Sequence, residues 1–128
     1  MNATVKEWID KAESDYNTAW REVRVEDLPN WDAVCFHAQQ CAEKLLKAVL
    51  ISRQVVPPRI HDLVRLSAEV TRTGEEWSWP ERDLIILSRA SVDLRYPGEF
   101  AGRDEAHAAF EVATAIREAL LEILQPGT

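Results

Sequence analysis

The run from Asp32 to Arg53, DAVCFHAQQCAEKLLKAVLISR, decides the fold. Val34, Ala38, Cys41, Ala42, Leu45, Ala48 and Val49 recur at spacings of three and four, which predicts a helix with a broad apolar face. Asn30 precedes it and can accept a free backbone N–H as its N-cap. Cys35 and Cys41 are six residues apart and point in different directions, so they cannot pair with each other or clamp a metal together. Reduced packing cysteines are expected. His37, Gln40 and Lys44 form a connected polar edge along one border of the apolar face. Phe36 and Leu50 point away from the main stripe, which suggests a second contact surface such as a subunit interface.

The flanking sequence repeats the helical pattern. Upstream, Val5, Trp8, Ile9, Ala12, Tyr16, Ala19, Trp20 and Val23 make an amphipathic stripe over Thr4 to Arg24. Asp15 falls near the centre of that stripe. Its carboxylate either reaches water at the bundle rim or has a deliberate partner in an arginine. Downstream, a short helix is expected over Asp62 to Arg72, with Gly74 near its end. Ser78-Trp79-Pro80-Glu81 reads as a capping box for a fourth helix, which must end by Tyr96-Pro97-Gly98. Ala106, Ala109, Phe110, Ala113, Ile116, Leu120, Ile123 and Leu124 carry a fifth helix over Asp104 to Leu124. The expected architecture is all-α, an antiparallel up-and-down bundle of four long helices plus one short one, filling residues 1–128 as a single domain.

Composition narrows the function classes. The 128 residues hold 15 Lys+Arg against 22 Asp+Glu, a net charge of −7. That balance argues against coating duplex DNA, which needs clustered cations. Two cysteines are too few for a disulfide scaffold or a four-cysteine zinc site. No apolar run is long enough to span a bilayer, and the charged N-terminal residues Lys6, Glu7, Asp10 and Glu13 do not read as a signal peptide. A cytoplasmic protein without membrane contact is expected.

Familiar catalytic motifs are missing. The chain has no phosphate-binding glycine loop, nucleophile elbow or His-Glu-x-x-His pair. His37, His61 and His107 lie on separate elements without ligand spacing, so neither a metal nor a cofactor is expected. Two pairs at helix ends carry chemistry. Arg95 and Tyr96 could hold a phosphate and stack a base, or serve structurally, with Arg95 on Asp15 and Tyr96 at a helix corner. Arg103 and His107, four apart on one face, suit phosphate contact and proton transfer in RNA cleavage, or form an ordinary solvated surface.

The run Phe36-His37-Ala38-Gln39-Gln40-Cys41-Ala42-Glu43-Lys44-Leu45-Leu46-Lys47-Ala48 resembles the second helix of the HEPN family, the higher eukaryotes and prokaryotes nucleotide-binding domain. Ala12 and Asp15 upstream, Pro58 and His61-Asp62-Leu63 downstream, and Arg95-Tyr96-Pro97 follow in matching order. The resemblance implies a bacterial or archaeal homodimer that works with a separately encoded minimal nucleotidyltransferase, in pairs of toxin–antitoxin type. It implies nucleotide or RNA-end binding by Arg95 and Tyr96, then by Lys44 and His61, with Asp15 orienting Arg95. Many members are metal-independent endoribonucleases with an Arg-x4-6-His motif. Here three residues separate Arg103 from His107, and no arginine has a histidine at the family distance. The alternatives are therefore a ribonuclease using Arg103 and His107, or a helical adaptor without chemistry.

Overall fold

A computed structural model describes residues 2–92 and 97–126. Five helices follow in order: α1 (Ala3–Glu22), α2 (Trp31–Ser52), α3 (Leu63–Arg72), α4 (Glu81–Val92) and α5 (Arg103–Leu124). Their order and short connections give the expected all-helical up-and-down bundle. Arg95 and Tyr96 lie outside the described residues.

Local chemistry sets the helix ends. Asn2 accepts from the Val5 N–H at 2.8 Å, and Asn30 accepts from the Ala33 N–H at 3.0 Å. Asp62 caps α3 by accepting from the Val64 and Arg65 N–H groups. The α4 helix departs from the expected box. The Pro80 carbonyl accepts from Asp83 and Leu84, so Pro80 holds the capping place and Ser78 lies two residues too early. Helix α2 ends with Gln54 at φ 62°, where the Val55 N–H returns to the Leu50 carbonyl at 2.9 Å. That is a Schellman ending with glutamine in glycine's usual place.

The core centres on α2, which packs against all four other helices. Val34, Ala38, Leu45, Leu46, Val49 and Leu50 are all fully buried there. Leu50 is thus a correction: α2 is covered on more than its main stripe, so Leu50 fills the core while Phe36 is 48% exposed. Cys35 and Cys41 are buried free thiols. Burial, then the carboxylates of Glu105 and Asp32, push Cys35 up to about 12. Burial first, with Glu13 and Asp15 behind it, does the same for Cys41. From α1 to α5, Arg117 grips both Glu13 oxygens at 2.8–3.1 Å and lies 4.4 Å over the Tyr16 ring. No helix among the described residues is long and apolar enough to cross a membrane.

Candidate functional site

The polar edge of α2 meets α1 at Asp15. His37 Nδ1 lies 2.7 Å from Asp15 Oδ1, and Lys44 Nζ donates to Asp15 Oδ2 at 2.5 Å. The seven-residue step from His37 to Lys44 is two helical turns, which puts both on one side of α2. Asp15 is thereby a buried carboxylate with two partners, and its side chain is 11% exposed. Arg95, its expected partner, is not among the described residues.

Lys44 also faces outward. With Glu7, Trp8 and Lys11 of α1 it lines an open depression of roughly 310 Å3. Lys11 is exposed and has no ion pair among the described residues. One tryptophan, two lysines and one glutamate thus line one hollow, with the Lys44 ammonium bonded to Asp15.

A second network continues around α2. The buried Glu43 carboxylate accepts from Gln39 Nε2 at 3.0 Å and from Lys47 Nζ at 3.1 Å, and it meets His61 Nδ1 at 3.0 Å. Gln40 donates to Gln39 at 2.8 Å, which links the exposed edge to this cluster. Burial pushes the Glu43 carboxyl up, but hydrogen bonds from Gln39, His61 and Lys47 outweigh it and hold the group below its ordinary value of 4.5. Asp15 and Glu43 therefore play parallel parts, each gripped by one imidazole and one lysine of α2 or its neighbour. His61 remains largely exposed, with 71% of its side chain open to solvent, and does not line the Lys44 depression.

Gln39, Glu43 and Lys47 were not expected at the site. Spaced by four, they resemble an ordinary solvated helix face. Their alternation of amide, acid and base was the available signal.

Arg103 and His107 stand elsewhere, at the N-terminus of α5. Together with Val23, Arg24, Pro29 and Trp31 they line an open depression of roughly 370 Å3. The His107 ring is tilted against Trp31 at 5.6 Å. Asp32 fixes this corner by accepting from the Ala101 N–H at 2.7 Å. Glu26 lines the same depression, and the exposed Asp104 and Glu105 follow Arg103 in the first turn of α5. Among the described residues, no group of three or more His, Cys, Asp or Glu side chains could hold a metal ion.

The chain belongs to the HEPN domain family, whose match runs over residues 5–124. It is similar in structure to TT1696 from Thermus thermophilus, at 26% identity and a TM-score of 0.75, covering 92% of this chain and 96% of that one. It shares its fold with ST0689, an archaeal HEPN homologue, at 23% identity and a TM-score of 0.67, covering 94% and 98%. No curated protein matches the sequence.

Proposed function

We propose that this HEPN domain is a nucleotide-binding subunit whose ligand sits in the depression between α1 and α2. The observation that carries the reading is the meeting of Trp8, Lys11 and Lys44 in one hollow. A nucleotide needs a flat apolar surface for its base and cations for its phosphates. Trp8 supplies the first, Lys11 and Lys44 the second, and Glu7 can accept from a ribose hydroxyl or base N–H. Asp15 and His37 hold Lys44 in place. Arg95 and Tyr96, which lie outside the described residues, are implied in nucleotide binding by the family resemblance. His61, steadied by Glu43, stands outside this depression. In this reading the chain acts as a homodimer and serves a separately encoded minimal nucleotidyltransferase in a toxin–antitoxin pair.

The test is a thermal-shift screen with nucleoside mono-, di- and triphosphates. A ligand at a hundred times its Kd stabilises by about 2.7 kcal/mol. Lys11→Ala and Arg95→Ala should each reduce the shift while the unliganded Tm stays put. A protein whose Tm ignores every nucleotide at millimolar concentration does not have this function.

A second reading, metal-independent RNA cleavage, is favoured by Arg103 and His107 lining one depression. Incubation with single-stranded RNA in chelator tests it. Activity that survives His107→Ala excludes this pair. Only three residues separate Arg103 from His107, fewer than the family's four to six, which is why nucleotide binding between α1 and α2 is preferred.

A further inference from the structure

We infer that the end of the bundle where the α1–α2 loop meets the segment before α5 is a docking surface for a basic amphipathic segment of a partner protein. The two segments form one surface. Asp32, one residue into α2, holds the Ala101 N–H at 2.7 Å, and the depression beside them draws its lining from residues 23–31 and from Arg103 and His107.

Apolar groups gather on this surface. Among the described residues, the exposed large hydrophobics include Trp20, Val25, Leu28 and Phe100, all at this end. Leu28 is 90% exposed and Phe100 is 78% exposed, so neither contributes to the core. Leu28 also has φ 52°, a conformation that glycine adopts more easily.

The charges around them select the partner. Glu26 and Asp27 precede Leu28, Glu99 precedes Phe100, and Asp104 and Glu105 stand in the first turn of α5; all five are exposed. None of the five forms an ion pair among the described residues. Two cations share the surface: Arg24 and Arg103 line the depression, and the Arg24 guanidinium is held 3.9 Å over the Trp20 ring and donates to the Trp20 carbonyl, so five carboxylates stand against two arginines. Apolar anchors framed by unpaired carboxylates complement a helix or extended segment that carries Leu- or Phe-type anchors between Lys and Arg. With five carboxylates against Arg24 and Arg103, the same frame disfavours a phosphate backbone. It also repels a second copy, because a two-fold contact would set these carboxylates against themselves.

The experiment uses the full chain and a fluorescein-labelled amphipathic Lys/Leu peptide of about five helical turns, read by anisotropy. The double variant Leu28→Gly/Phe100→Ser should bind about tenfold more weakly. Its Tm should not fall, because glycine accepts the Leu28 backbone and neither side chain is in the core. Binding should weaken as salt rises. Val56→Ser, an equally exposed apolar site away from this end, should leave binding unchanged. Four results would overturn the inference. The double variant binds the peptide as well as the parent does. Val56→Ser weakens binding as much as the double variant. A Glu/Leu peptide or single-stranded oligouridylate binds at Leu28 and Phe100 more tightly than the Lys/Leu peptide. Light scattering shows that the double variant splits a dimer, which assigns the surface to a second copy.

Discussion

Asp15 on α1 and Lys44 on α2, 29 residues apart in sequence, form an ion pair whose second carboxylate oxygen is taken by His37. The pair joins the two helices on the side that faces the depression. Removing the acid leaves Lys44 and His37 without their acceptor. We expect Asp15→Ala to lower stability by about 2–3 kcal/mol, less than a fully buried pair because Lys44 is partly exposed. Urea unfolding measures it, and a loss under about 0.5 kcal/mol would show the pair to be ornamental.

Glu43 gives the protein an acid-sensitive contact. Its carboxyl is held below its ordinary value of 4.5, so the folded state favours the ionised form. The contribution is complete above the unfolded value and disappears as pH falls through the lower, folded one. Glu43→Gln should therefore flatten the loss of stability with acid while lowering stability at neutral pH. Parallel acid titrations of the two proteins would show no difference in slope if Glu43 were unperturbed.

The cysteines should be inert. With both thiols pushed up to about 12 and buried, few thiolates exist at neutral pH. The native protein should react with a disulfide reagent only as fast as it unfolds. Rapid labelling of either cysteine in native buffer would contradict the packing described here.

Gln54 offers a gain. At φ 62° it occupies the left-handed turn after α2, where a side chain is a burden. Gln54→Gly should raise stability by about 0.5–1 kcal/mol, read as a higher Tm. An unchanged or lower Tm would mean that the glutamine side chain contributes contacts of its own.

Much of the fold was legible because its signals are local. Asn30, Asp62 and the stripe from Ala106 to Leu124 mark helix starts and faces within a few residues of where the structure has them. Asp15 was legible as a carboxylate in need of a partner, since burial cost follows from position alone. The partners described, His37 and Lys44, had appeared only as a polar edge, because periodicity gives a residue's face and not the helix opposite. Leu50 departs from the expected outer surface for the same reason: one helix's pattern does not tell how many neighbours surround it. The Glu43 cluster is not legible in the sequence because it depends on His61, which arrives through the loop after Pro57 and Pro58.

The central place of α2 has a consequence for how the sequence can change. A helix with neighbours on every side leaves few positions where any residue will do. Saturation mutagenesis should find its tolerated alphabet narrowest along Val34 to Leu50, apart from exposed Phe36, and far wider on the outer faces of α3 and α5. The helix that holds the bundle together is then also the one whose wording is hardest to rewrite.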